Sequence, residues 1–236
     1  MISRSIPMVV VTVSLALVLG AGCSSDDGEK PKDSGPDISF IPDTAPSPCG
    51  TGIYPCGPYG VNIDDVTANL EFMGYSDPKE HCKEHKDKVM DTSASRRISF
   101  KEFHLGDPSC TQYKREILWV MVSAGWCTPC KNEVAKTQTE YALNQVDQRV
   151  AIVNILTETD KFEPATDAFL KKWIQAFDLT MPVAMDPSFK LGAYFDVKAV
   201  PFNMLIETKT MKIIYRETGE NLPGVGAKLQ SYFQGK

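Results

Sequence analysis

The chain has 236 residues, 42% of them hydrophobic and 23% charged. That suits one domain of ordinary size with tails, and leaves room to bury a core. The formal net charge is −5, a balance that argues against a nucleic-acid partner.

Residues 1–22 read as an export leader rather than as part of a fold. Arg4 gives a short basic start, and an apolar stretch over residues 6–22 ends in small side chains. The end of that stretch, Leu19-Gly20-Ala21-Gly22-Cys23-Ser24, resembles a bacterial lipobox. Its small residues would let the backbone enter a signal peptidase, and Cys23 would take the lipid. An uncleaved anchor and a plain secretory signal are the other readings, and each of them also exports the chain. The apolar stretch is short for a spanning helix. The expected location is the bacterial cell envelope, lipid-anchored, facing the periplasm or on the outer membrane.

Residues 23–48 are expected to form a disordered tether. Positions 24–48 hold five prolines and six acids with few apolar side chains. Such a segment cannot bury enough surface to offset the entropy of ordering. Fully extended it would reach roughly 80 to 90 Å.

Residues 49–97 form an N-terminal extension that matches no recognisable pattern. It carries three of the four cysteines that neither the lipid nor the pair at Cys127 and Cys130 accounts for: Cys49, Cys56 and Cys82, with Cys110 beyond it. An even remainder in an exported chain suggests two structural disulfides. Three pairings are open. Cys49 with Cys56 would close a short Gly/Pro-rich loop, and Cys82 with Cys110 would clip the extension to the main domain. A second redox pair is the rival, although none of the four has a two-residue spacing. His81 and His85 fall on one face if their segment is helical, but Lys79, Lys83, Lys86 and Lys88 surround them. No metal site is expected there.

From residue 98 the pattern is that of a fold. Residues 98–104, with Ile98, Phe100 and Phe103, form an edge strand or a short turn. Residues 116–124 are a buried strand, 130–148 an amphipathic helix and 149–157 a second central strand. That succession implies a parallel crossover. A helix over 164–177 sets Phe169, Trp173 and Phe177 at helical spacing, as core residues. A short strand over 181–185 and a short helix over 189–195 follow. Strands over 202–207 and 212–217 pair antiparallel across a turn at 208–210, and a helix over 222–233 closes the chain.

Between the first central strand and its helix stands Trp126-Cys127-Thr128-Pro129-Cys130. Two cysteines separated by two residues at a strand-to-helix junction form a redox dithiol. Free backbone N–H groups and the helix dipole favour negative charge there, which lowers the Cys127 pKa and supplies the attacking thiolate. Pro129 suits a helix start because its missing N–H is not needed. Cys130, one turn on, can resolve a mixed disulfide. The alternative is half a zinc site, but no Cys or His follows Cys130 to complete one.

These residues resemble the active site of the thioredoxin superfamily, and more narrowly the TlpA/ResA-type thiol–disulfide oxidoreductases. Lys131-Asn132-Glu133 follows the dithiol directly, and that branch places an acid three residues past the second cysteine. Val200-Pro201 precedes an apolar run over 202–206; in the family that proline is cis and faces the dithiol. The resemblance covers about residues 98–234. It implies an α/β thioredoxin-like fold over 98–236, a central mixed sheet flanked by helices, with an inserted strand–helix unit. Thioredoxin has a buried Asp six residues before its first active-site cysteine, whereas Met121 stands here. That leaves Glu133 as the candidate proton carrier.

The expected activity is membrane-tethered thiol–disulfide exchange that reduces protein disulfides. Cys127 is expected as an exposed nucleophile and Cys130 as the buried resolving thiol. Glu133 would carry the resolving proton, or else be a solvated helix glutamate. Trp126, Val200 and Pro201 would bind the partner, with the backbone at 200–201 pairing to an extended peptide. Partners are protein thiols or disulfides and an upstream electron donor; no cofactor is implied. By resemblance the direction is reduction, for example of cytochrome c apoprotein thiols. Two alternatives are a peroxiredoxin-like peroxidase and a non-catalytic envelope lipoprotein whose domain only mediates contacts. The first wants a Thr in a Pro-rich loop shortly before its reactive cysteine, a pattern absent before Cys127. A copper chaperone of the Sco kind would need a downstream histidine, and none follows His104.

Overall fold

A computed structural model describes residues 54–76, 89–104, 115–142, 149–196 and 198–235. The leader, the tether, Cys23, Cys49, His81, Cys82, His85 and Cys110 lie outside the described residues.

The strands and α-helices of the described residues are β1 (Glu71–Tyr75), β2 (Arg96–Ser99), β3 (Ile117–Ser123), α1 (Thr128–Lys136), β4 (Val150–Leu156), α2 (Asp167–Ala176), β5 (Val183–Met185), β6 (Phe202–Glu207), β7 (Lys212–Thr218) and α3 (Leu222–Gln234). The strands form one mixed sheet in the order β2-β1-β5-β4-β3-β6-β7. β3 runs parallel to β4, which runs parallel to β5. β6 lies antiparallel to β3 on its other side, with Met121 opposite Asn203.

Every residue of β3 is buried. A strand covered on both faces reads as a continuous apolar run instead of an alternating one, and this is the run the sequence presents. Alternate side chains then part into two cores. Ile117, Trp119 and Met121 join Val134 of α1, Leu170 and Trp173 of α2, and Val225 and Leu229 of α3 on one face. Leu118, Val120 and Val122 pack on the other against Phe72, Phe100, Leu191, Tyr194 and Phe195. Phe169, Trp173 and Phe177 form a run of neighbouring rings, with Trp173 in the core and the outer two packed against it.

The structure refines three sequence expectations. Residues 98–104 are strand and turn in succession: β2 pairs with β1, and a 3-10 turn follows over Phe100–Phe103. Two strands, β1 and β2, come from the chain before residue 100, so part of the segment read as an extension is built into the sheet. The helix after the dithiol begins at Thr128 and keeps α geometry only to Lys136; a wider π-type segment, Thr137–Ala142, continues it. There the Thr139 hydroxyl donates to the carbonyls of Ala135 and Lys136. Gln138 exchanges hydrogen bonds with Thr180. Side chains that bond the backbone in this way compete with the regular helical ladder.

Candidate active site

The site lies just past the C-terminal end of β3, where the chain turns into α1. Cys127 is the N-cap residue of that helix. Its Sγ accepts the Cys130 backbone N–H at 3.1 Å, the place a Ser or Asp oxygen takes in an ordinary cap. The sulfur therefore sits against an unsatisfied helical donor at the positive end of the macrodipole. Cys127 and Cys130 are joined as a disulfide, S–S 2.08 Å and Cα–Cα 5.3 Å.

The Val200–Pro201 peptide is cis, and the Val200 carbonyl oxygen lies 3.5 Å from Cys127 Sγ. The structure thus brings Trp126, Cys127, Cys130 and Val200 into one cluster, with Pro201 adjoining. Cys56 is exposed.

One expectation is corrected. Cys127 is not exposed in the disulfide form: it is 2% accessible, and Cys130 is wholly buried. The cover has a physical origin. Trp126 and Val200 pack on the disulfide. The Trp126 indole N–H donates to Glu158 Oε2 at 2.6 Å, and its ring stacks on Phe162 with centroids 5.0 Å apart and planes 17° from parallel. Phe162 has φ 61° and is 67% exposed. Its loop is fastened to the site where the Gly125 N–H donates to the Glu158 carbonyl. A side chain at Gly125 would come within 2.6 Å of the Asp160 nitrogen and 2.5 Å of the Phe169 ring, so only glycine fits.

Glu133 follows Cys130 by one helical turn and is 1% exposed, which removes the reading of a solvated glutamate. Its Oε1 accepts from Asn203 Nδ2 at 2.8 Å, and Asn203 Oδ1 accepts from the Trp119 indole N–H at 2.7 Å. Burial pushes the Glu133 carboxyl up to about 7, and the negative fields of Glu220 and Glu217 add to this; the bonds from Asn203 and from the Asn221 backbone oppose it. The carboxyl is consequently poised to bind or release a proton near neutrality.

Glu158, Phe162, Asn203 and Trp119 were missed in the sequence. Asn203 offered a signal: one amide inside an otherwise apolar strand. Trp119 resembled any core aromatic, and the 158–164 loop had no local pattern. Among the described residues no group of His, Cys, Asp and Glu is arranged to hold a metal ion.

No curated protein matches the chain. Among solved structures it resembles a "putative protein disulfide isomerase" from Bacteroides thetaiotaomicron, TM-score 0.51 at 14% identity, over 75% of this chain and 91% of that one. It resembles Enterococcus faecalis AhpC to a similar degree, TM-score 0.50 at 14% identity, over 73% and 92%. At such identity these likenesses establish the fold, which is thioredoxin-like. The AhpC/TSA family model matches residues 86–218, more than half of the chain and the whole dithiol region. With the cysteine pair at the end of the central strand inside that match, the chain belongs to the AhpC/TSA family, on a thioredoxin-like fold.

Proposed function

We propose that this protein is a thiol–disulfide oxidoreductase that reduces disulfides in partner proteins through Cys127 and Cys130. The observation that carries the reading is the Cys127 sulfur, set on a helix N-cap, bonded to a buried partner sulfur and facing the Val200 carbonyl.

In the reduced enzyme Cys127 is held as a thiolate by the Cys130 N–H and the helix end. It attacks one sulfur of a partner disulfide; that S–S bond breaks, the far sulfur leaves as a thiolate and takes a proton, and a mixed disulfide forms. The Cys130 thiol gives its proton to the Glu133 carboxylate and attacks Cys127 Sγ. The second partner thiolate leaves. Two electrons have passed to the partner, and the Cys127–Cys130 disulfide remains. An upstream dithiol donor returns two electrons to it. The backbone at Val200 and Pro201 pairs with the partner's extended chain, and Trp126 offers it an apolar contact. The lipid on Cys23 and the 23–48 tether would keep this chemistry at the envelope membrane.

Family membership gives a second reading, peroxide reduction at Cys127. Insulin disulfide reduction and hydrogen peroxide consumption by the mature protein separate the two. The proposal expects insulin reduction that Cys127→Ala abolishes, with peroxide consumed no faster than by free dithiol. Insulin reduction no faster than dithiothreitol alone contradicts it, as does rapid peroxide turnover.

A further inference from the structure

We propose that Asn203 is a positioning residue for disulfide exchange: its amide, turned by Trp119, holds the Glu133 carboxyl in place to exchange the Cys130 proton. The inference rests on the exchange reading above and adds two residues to it.

The orientation of the amide follows from chemistry. An indole N–H can only donate. The Asn203 atom 2.7 Å from Trp119 Nε1 is therefore the carbonyl oxygen Oδ1, and the NH₂ must point the other way, to Glu133 Oε1 at 2.8 Å. Reversed, the amide would present an oxygen to the carboxyl and favour its protonated form. Trp119 thus sets the sign of the interaction: the carboxyl meets a donor, which favours ionisation.

The arrangement is built into the sheet. Asn203 faces Met121 across β3 and β6, and Trp119 lies two residues earlier on β3, on the same face. The Trp119 ring meets Tyr141 edge-on at 5.2 Å, which fixes it further. All three members of the chain Trp119–Asn203–Glu133 are 1% exposed or less. An isolated buried amide is costly; here both of its ends are satisfied, and one satisfied end is the proton carrier. The other groups acting on Glu133 are Glu217 and Glu220, which oppose its ionisation, and the Asn221 backbone N–H, which supports it. Lys136 on α1 pairs with Glu220 at 3.3 Å. None of these substitutes for a donor fixed from the strand side.

The test combines a direct titration with kinetics. The Glu133 carboxyl is followed by carbon NMR in the wild type, Asn203→Leu, Asn203→Thr and Trp119→Phe. Asn203→Leu deletes the donor, so the midpoint should rise by about one pH unit, an ionised-to-protonated ratio about tenfold smaller at any given pH. Trp119→Phe leaves the amide free to turn and should shift it the same way by less. Asn203→Thr keeps a donor and should stay near the wild type. The pH profile of insulin disulfide reduction should move with the carboxyl while KM stays constant. A carboxyl midpoint unmoved in Asn203→Leu and Trp119→Phe overturns the proposal. So does a loss of rate that is equal at every pH. If Asn203→Leu does not fold, Trp119→Phe and Asn203→Thr decide in the same terms. A wild type that exchanges no disulfides would sink the parent reading, while the carboxyl titration would still report whether Asn203 and Trp119 control Glu133.

Discussion

Glu133 shows how one side chain can work against the stability of its own fold. Its carboxyl rises from 4.5 to about 7, so the folded state binds that proton more tightly than the unfolded chain does. The stabilisation is complete below pH 4.5 and is lost as pH climbs through about 7, roughly 3 kcal/mol in all. Glu133→Gln should therefore flatten the stability–pH curve across that window and melt higher than the wild type above neutrality, as calorimetry can record. The same variant should exchange disulfides more slowly, because an amide cannot take up the Cys130 proton. Cys127 and Cys130 stand out in the sequence by their two-residue spacing, and Glu133 and Pro201 only by resemblance to a family motif. The roles of Asn203 and Trp119 are not legible there, since they depend on which residues two strands bring side by side, and register is not written in either strand alone.

Among the elements, the loop over 158–164 is the least foreseeable. It follows a strand the sequence marked clearly, yet its contacts run sideways, to Gly125 and Trp126. Those contacts explain why Cys127 is covered in the disulfide form. Phe162→Ala should uncover the bond, so that dithiothreitol reduces it several-fold faster, measured by the change in tryptophan fluorescence or by thiol trapping. Gly125→Ala tests the fastening: an added methyl near the Asp160 nitrogen and the Phe169 ring should cost about 1–3 kcal/mol in denaturant unfolding. The helix after the dithiol was legible to its first turns. Its change of geometry at Thr137 was not, because a period of 3.6 does not record a threonine or glutamine bonding elsewhere.

At the scale of the molecule, strands β3, β4, β6 and β7 were anticipated, being long and apolar or paired through a short turn, and so was the short β5. β1 and β2 were not. β1 is a five-residue strand, EFMGY, with a glycine in it. That glycine weakens the strand signal, but the sheet requires it: a Cβ on Gly74 would lie 2.2 Å from the Val183 carbonyl oxygen of β5. The proposed envelope anchor belongs to this scale as well. Full-length protein made in a bacterial host should partition into detergent on phase separation, and Cys23→Ser should move it to the aqueous phase.

All of the proposed chemistry requires Cys127 to be an acidic thiol once the disulfide opens. Ultraviolet thiolate absorbance of the reduced protein, followed against pH and compared with Cys127→Ala, measures this directly. A Cys127 midpoint well below the value of about 8.5 for free cysteine is the expected result. A midpoint at or above that value would contradict a nucleophile held ionised at the N-cap of α1.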